Sequence, residues 1–246
     1  MFAVVIFGAC QSPKGEDQNQ SDTTSTAPVS EATSQNQLTE AQKADGWKLL
    51  FNGENTDGWK TYQNKENDSW QVVDGALHCK PAEAAEKRAD MITVDQYENF
   101  ELAFDWKIAP TDNSGVIYRA TEEFDQPYLS GPEYQVIDDK GYPDSLKDTQ
   151  TSGSNYDMNA APADKSINPA GEWNTGRIVV NGNHVEHWLN DAKVVEYEFN
   201  SPEWKKLKAG SKWKDAKGYG AANKGHIDLQ DHGGEVWYRN IMIKTL

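Results

Sequence analysis

Pro132-Glu133-Tyr134-Gln135-Val136-Ile137-Asp138-Asp139 is a stretch in which polar and core-forming side chains alternate. Successive side chains on a β-strand point to opposite faces of the sheet, so the pattern predicts a strand with Glu133 and Gln135 on one face. Tyr134 and Val136 then share the other face, which we expect to be buried. A carboxyl group beside an amide on a rigid strand can hold sugar hydroxyls, and the acid can also move a proton.

The same period of two recurs along the chain, between short turn signals. It runs through residues 100–108 and again through residues 225–232. Asn-Gly, Asp-Gly and Asn-Asp pairs separate such runs, which is typical of tight hairpin turns. The pattern predicts an all-β fold, an antiparallel β-sandwich of two sheets, with a short helix within residues 201–215 and a long irregular loop over residues 139–171.

The N-terminal part has a different composition from the rest of the chain. Residues 1–10 look like the remnant of a lipoprotein signal, because small residues precede Cys10, which would carry the lipid. No Lys or Arg comes before the short apolar run, so we expect the true start codon upstream. Residues 11–45 contain no aromatic residue and are rich in Ser, Thr and Gln, which predicts a disordered tether. The folded domain is expected over residues 46–246.

Charge and cysteine content narrow the possible partners. The formal net charge is −15, and an acidic chain repels phosphate backbones, so nucleic acid is excluded as an expected partner. A carbohydrate is expected instead, with membrane contact only through a lipid on Cys10. The expected location is the bacterial cell envelope, periplasmic or surface-exposed. Cys79 has no partner if Cys10 is lipidated, so no intrachain disulfide is expected.

Three predicted strands project polar groups from a face opposite apolar partners, and together they could form one polar groove. The candidates are Glu133 and Gln135 on the first strand, Asp228, Gln230 and His232 on the second, and Arg119 at the end of the third. His187 is a further candidate, although Val185 and Leu189 share its side of a strand. The competing interpretation is an ordinary solvated outer face, since half-exposed strands show the same alternation.

Other kinds of chemistry fit the residues less well. Asp228, Asp231 and His232 could bind a metal, but their spacing matches no specific motif, so no cofactor is predicted and a divalent metal such as calcium is left open. A Ser/His/acid triad would lack the Gly-x-Ser-x-Gly elbow. The Glu-x-Asp-x-x-Glu pattern of sandwich-fold glucanases has Gln135 in place of its central acid, which argues against a two-carboxylate mechanism on this strand.

Seven short motifs occur in the order found in the 3-keto-disaccharide hydrolase domain family, which the chain resembles over nearly all of residues 46–246. They are Leu50-Phe51-Asn52-Gly53 with Gly58-Trp59, Asp74-Gly75, Asn113-Ser114-Gly115 with Arg119, the stretch 132–138, His187-Trp188-Leu189-Asn190, and Gly225-His226-Ile227-Asp228-Leu229-Gln230-Asp231-His232-Gly233. Asp191 departs from the pattern, because the family usually has Gly there. The resemblance implies a concanavalin A-like jelly-roll β-sandwich and an enzyme that cleaves 3-keto-glycosides.

Oxidation of a sugar at C3 acidifies the proton at C2, and its removal lets the C1 substituent leave before water adds. This route needs a base, a group that stabilises the enolate at O3, and an acid for the leaving oxygen. We assign Glu133 or His232 as the base and Arg119 as the stabiliser. Substrate hydroxyls are assigned to Gln135, Asp228, Gln230 and His187. The alternative is a non-catalytic, lectin-like carbohydrate-binding module of a cell-surface lipoprotein, and the acid and imidazole favour the enzyme.

Overall fold

The computed structural model describes residues 1–2 and 35–246. The predicted lipidation site Cys10 and the predicted tether as far as residue 34 lie outside the described residues. Among the residues described, no helix has the length and apolar character needed to cross a membrane.

Strands dominate residues 35–246. They are β1 Lys48–Leu49, β2 Trp59–Thr61, β3 Trp70–Val73, β4 Ala76–Cys79, β5 Met91–Thr93, β6 Phe100–Ile108, β7 Asn113–Ala120, β8 Glu133–Ile137, β9 Asn174–Asn181, β10 His184–Leu189, β11 Ala192–Glu198, β12 His226–Leu229 and β13 Val236–Thr245. The helices are α1 Glu40–Ala44 and α2 Pro202–Gly210, with short 3-10 turns at Tyr62–Asn64, Ala82–Ala84, Pro127–Leu129 and Asp148–Gln150. The helix predicted within residues 201–215 is therefore present but ends at Gly210.

Two antiparallel sheets lie face to face. The larger has the order β11-β10-β9-β6-β13-β4-β3, with β1 pairing β13, and the smaller has the order β2-β5-β12-β7-β8. Neighbours in the sheets are often distant in sequence: β12 lies between β5 and β7, and β13 lies between β6 and β4. The concanavalin A-like jelly-roll β-sandwich predicted from the sequence is confirmed.

The core lies between the sheets and follows the predicted alternation. On β6 the residues that join the core between the sheets are Phe100, Leu102, Phe104, Trp106 and Ile108. From the smaller sheet, Tyr134 on β8 meets this row, with its ring centroid 5.4 Å from that of Phe104 in an edge-to-face arrangement. Burying one such side chain stabilises the fold by about 1.5–3 kcal/mol, so this row holds the two sheets together.

The long segment after β8 is ordered, and part of it runs along the free edge of that strand. Gly153 N donates to Gln135 O at 2.9 Å, and Gln135 N donates to Ser154 O at 3.1 Å. Tyr156 N continues the ladder to Glu133 O at 3.0 Å. An uncovered edge strand is a template for pairing with another chain, and here the loop occupies that position.

The structure differs from the predicted tether over residues 35–45. Helix α1 begins at a capping box, in which Thr39 Oγ1 accepts from Gln42 N at 3.1 Å. Asn36 is buried and joins two parts of the sandwich: its Nδ2 donates to Gly75 O at 2.7 Å, and its Oδ1 accepts from Asn240 N at 2.8 Å. Composition predicted disorder because the segment has few apolar residues to bury. The segment is nevertheless ordered, because its amide side chains form hydrogen bonds with the domain.

We expect Asn36→Ala to lower the free energy of unfolding by about 1–3 kcal/mol, because it leaves Asn240 N without its acceptor and removes one of the two donors to Gly75 O. Asn183→Ala changes an exposed asparagine and serves as the control. Urea unfolding of both variants measures the difference. Equal midpoints would show that the N-terminal segment adds nothing to the domain.

Candidate functional site

The outer face of the smaller sheet carries most of the predicted polar residues. In one row across the strands, Asp228 on β12 pairs with Ile117 on β7, which pairs with Glu133 on β8. In the next row Gln230 N donates to Gly115 O at 3.0 Å, and Gly115 pairs with Gln135. The structure thus brings Glu133, Gln135, Asp228 and Gln230 together, on the face away from the core.

Gly115 leaves the space that Glu133 uses. A Cβ atom at residue 115 would lie 2.5 Å from Glu133 Oε1 and 2.8 Å from Glu133 Cγ, both closer than van der Waals contact permits. The Glu133 side chain therefore folds over the neighbouring strand towards β12, and it is only 5% exposed. Close approach of a side chain to the backbone is one of the few reasons for glycine in the middle of a buried strand.

We call the part of the outer face around these residues the floor, and three carboxyl groups lie close together on it. Burial, together with the charge of Asp90, raises the pKa of Glu133 to about 8. Burial and the neighbouring charges of Asp90 and Glu133 raise the pKa of Asp228 well above its usual value. Burial raises the pKa of Asp90 to about 7, although Asp90 Oδ1 accepts a hydrogen bond from Asp231 N at 2.7 Å. Groups in such surroundings are poised to exchange protons near neutral pH.

Asp90 was missed in the sequence, although a signal for it was present. It directly precedes β5, where Met91 joins the core and Ile92 pairs with Asp228. Alternation therefore assigns Asp90 to the same outer face as Ile92.

Several buried oxygen atoms of the floor have no hydrogen-bond donor among the described residues. They are both carboxyl oxygens of Asp228, Gln230 Oε1 and Asn113 Oδ1. The carboxyl oxygens of Glu133 likewise accept no hydrogen bond from residues 35–246. Buried polar atoms are nearly always hydrogen-bonded, so these unpaired oxygens favour a ligand with several hydroxyl groups, such as a sugar.

Gln135 differs from its neighbours because both ends of its amide are used within the protein. Gln135 Nε2 donates to Gln150 O at 3.3 Å, and its Oε1 accepts from Val136 N at 3.1 Å. It lies on the predicted face, but it fastens the loop to β8 and has little capacity left for a substrate hydroxyl.

His232 and Lys212 lie at the rim of the floor, and both are exposed. Partial burial and the positive charge of Lys212 lower the pKa of His232, which keeps the imidazole neutral at pH 7. His232 also lines a cleft of about 300 Å³ together with Asn113 and Tyr142, so the groove continues past the floor. Lys212 was not a sequence candidate, because it follows α2 in an irregular turn.

The predicted role of Arg119 is not supported by its position. The pairing of β7 with β12 shifts between His226 and Asp228, so β7 has one extra residue there, and Arg119 has a φ of 54°. Such a bulge reverses the direction of a side chain. The guanidinium instead donates through Nη2 to Glu98 O and Gly182 O, each at 2.9 Å, and does not reach the floor.

His187 lies in the core between the sheets, whereas Glu133 lies on the outer face of the smaller sheet. Its Nδ1 donates to Gly153 O at 3.0 Å, which leaves Nε2 to accept from Tyr118 Oη at 2.8 Å. Burial lowers the pKa of His187 to about 4, so the ring is neutral. The structure therefore corrects its assignment as a substrate-binding residue: it holds the loop carbonyl at Gly153 against the core.

The metal set considered in the sequence has no free ligand atoms on Asp231. Asp231 Oδ1 accepts from Arg88 Nη2 at 2.6 Å and Oδ2 accepts from Ser69 Oγ at 2.7 Å. On the other sheet, ligand atoms of His184, Glu186 and Glu196 lie within 4.8 Å of one another. Lys193 is already paired with both carboxylates, with Nζ 2.6 Å from Glu196 Oε2 and 3.2 Å from Glu186 Oε1.

Comparison with known proteins shows the family of the chain. Residues 46–244 match the model of the 3-keto-alpha-glucoside-1,2-lyase-like domain. The chain belongs to this family. It is 32% identical over 231 residues to a protein of Bacteroides thetaiotaomicron named 3-keto-disaccharide hydrolase, an alignment that covers 82% of this chain and 79% of the relative.

Two solved structures from Parabacteroides distasonis, each described as a candidate glycosyl hydrolase, are also similar. The first is 38% identical, with a TM-score of 0.81 over 87% of this chain and 100% of that chain. The second is 30% identical, with a TM-score of 0.64 over 81% of this chain and 99% of that chain. The family resemblance inferred from the motifs is confirmed.

Asp228→Asn should stabilise the fold, increasingly as the pH rises. Since the pKa of Asp228 is raised in the folded state, its contribution to stability is present below its usual pKa of 3.8 and is lost at higher pH. We expect the variant's Tm to match the wild type near pH 4 and to exceed it by several degrees near pH 8, at about 2–4 °C per kcal/mol. Asp164→Asn, at an exposed carboxyl, is the control in thermal unfolding. A Tm difference between the variant and the wild type that is the same at every pH would contradict a buried, unpaired carboxyl at residue 228.

Proposed function

We propose that the chain is a hydrolase that cleaves the glycosidic bond of 3-keto-glycosides, including 3-keto-disaccharides. The observation that carries the proposal is the floor of buried oxygen acceptors beside Glu133, a carboxyl whose pKa is raised to about 8. A donor-rich sugar satisfies the acceptors, and a carboxylate of raised pKa is a stronger base than an ordinary one. The name of the relative from Bacteroides thetaiotaomicron supports the substrate class.

The proposed reaction proceeds by elimination and hydration. Glu133 takes the proton from C2, and the electron pair moves onto O3 as an enolate. The enolate then collapses, the bond from C1 to the leaving oxygen breaks, and protonated Glu133 holds the proton that this oxygen needs. Water adds across the C1–C2 double bond, with hydroxide to C1 and a proton to C2. The net reaction is hydrolysis with the 3-ketone retained.

The other residues of the floor bind rather than react in this proposal. Asp228, Gln230 and Asn113 accept hydrogen bonds from hydroxyl groups of the sugar. His232 is a second base candidate, since its imidazole is neutral and exposed at the rim.

Glu133→Gln is expected to lower kcat/KM on a 3-keto-glucoside by about 10²–10⁴, because the base is removed while the shape is kept. In the wild type, kcat/KM should rise with pH and level off above pH 8, since the ionised carboxylate is the active form. His232→Ala tests the alternative base. Near-wild-type rates in both variants would remove this site, and a fall in rate above pH 8 would mean that Glu133 acts as an acid.

Gly115→Ala is expected to keep the fold and lose most of the activity, because its methyl group would displace the carboxyl of Glu133. Gly210→Ala is the matched control, since a methyl group there meets no atom within 4 Å. Turnover of the 3-keto-glucoside and thermal unfolding are measured for both. If the Gly115 variant turned over normally, the position of Glu133 above this glycine would be irrelevant to catalysis.

A sugar-binding module without catalysis would give a different set of results. Calorimetric titration with glucosides, run beside turnover of the 3-keto form, separates the two functions. Binding without turnover would support the lectin-like alternative.

We also propose that a lipid on Cys10 anchors the protein in the bacterial cell envelope. The small residues before Cys10 and the polar segment after it support this. Mass spectrometry of the native N-terminus should find a lipidated Cys10, and an unmodified Cys10 behind an intact Met1 would contradict the proposal.

A further inference from the structure

The proposed elimination places negative charge on O3, and the residue expected to stabilise it is elsewhere. Arg119 donates to backbone carbonyls outside the groove. Two other cations close to the floor are already neutralised: Arg88 Nη2 lies 2.6 Å from Asp231 Oδ1, and Lys60 Nζ lies 2.7 Å from Glu122 Oε2. A group with an uncompensated positive charge is required.

We propose that Lys212 stabilises the enolate at O3, and that Tyr156 and Trp213 hold its ammonium group at the rim for this purpose. This inference rests on the proposed function and adds a catalytic residue to it. Within residues 35–246, Lys212 Nζ forms no salt bridge with any carboxylate, so its charge is available to a substrate. That charge lowers the pKa of both Glu133 and His232, so the ammonium lies within electrostatic range of the two candidate bases.

Two aromatic rings fix the position of the Lys212 side chain. Lys212 Nζ lies 4.0 Å from the ring centroid of Tyr156 and 4.3 Å from that of Trp213. The electron-rich face of each ring attracts the ammonium group. An exposed lysine side chain normally samples many rotamers. Because the rings already hold this side chain in place, less conformational entropy is lost when it acts on the substrate.

Successive hydrogen bonds connect Lys212 to Glu133. Lys212 N donates to Asp157 Oδ2 at 2.8 Å, and Trp213 Nε1 donates to Tyr156 O at 3.0 Å. Tyr156 N in turn donates to Glu133 O at 3.0 Å. The turn after α2 is thus fastened to the loop that covers β8, and that loop is in turn bonded to the strand that carries Glu133.

Lys212→Met tests the inference by turnover of a 3-keto-glucoside. We expect kcat to fall about 10²–10³-fold with little change in KM, as when one oxyanion donor is removed, and Lys212→Arg to recover part of the loss. Lys147→Met removes a neighbouring exposed positive charge, 3.5 Å from Asp157, and should keep wild-type activity. Since the Lys212 charge lowers the pKa of Glu133, the Met variant should also shift the inflection of the pH profile upwards. An unchanged kcat in the Met variant would overturn the inference.

A second measurement separates this inference from the proposed function. A 3-keto-1-deoxyglucose has no leaving group, so solvent deuterium entering C2 reports proton removal alone. Wild type should catalyse the exchange, and both Lys212→Met and Glu133→Gln should lose it. Exchange at the wild-type rate in the Met variant would overturn the role of Lys212. If the wild type neither cleaves nor exchanges 3-keto sugars, the proposed function itself fails.

Discussion

The arrangement of the site depends on the pairing of β7 with β8, which sets Gly115 beside Glu133. Because residue 115 has no side chain, the carboxyl of Glu133 can fold over β7 towards β12. There burial raises the pKa of all three carboxyl groups, and the charge of Asp90 raises the pKa of Glu133 and Asp228 further. The bend of one side chain over one glycine thus completes a buried group of three carboxyls whose pKa values are all raised.

Keeping this cluster buried costs stability. A carboxyl such as Asp228, with no donor on either oxygen, is what a fold selected for stability alone would avoid. The sandwich tolerates it because the opposite face of the same strands is apolar and packed, with Val116, Tyr134 and Ile227 in the core. The inner face supplies the stability, and the outer face carries the unfavourable chemistry.

Alternation along single strands predicted the architecture and much of the floor. Glu133, Asp228 and Gln230 lie where a period of two places them, because their strands are regular at those positions. Arg119 was misassigned because a bulge interrupts the period, and bulges depend on the partner strand. His187 follows the period, and its placement in the core was already signalled by its apolar neighbours on β10.

Other residues depend on contacts between distant parts of the chain, which local pattern does not report. Lys212 is held by the ring of Tyr156, more than fifty positions away in the sequence, and by the ring of its neighbour Trp213. Asn36 is ordered by partners at residues 75 and 240. The amide of Gln135 was read as a free polar group, but it binds the backbone of the following loop.

The loop that covers β8 performs two tasks with the same residues. It completes the hydrogen-bonding edge of the smaller sheet, and it presents Tyr156, which lies beneath Lys212. A substitution there that alters the rim of the groove would also weaken the hydrogen bonds at the edge of the sheet. Residues 153–156 are therefore constrained twice, by the edge of the sheet and by the groove that they support.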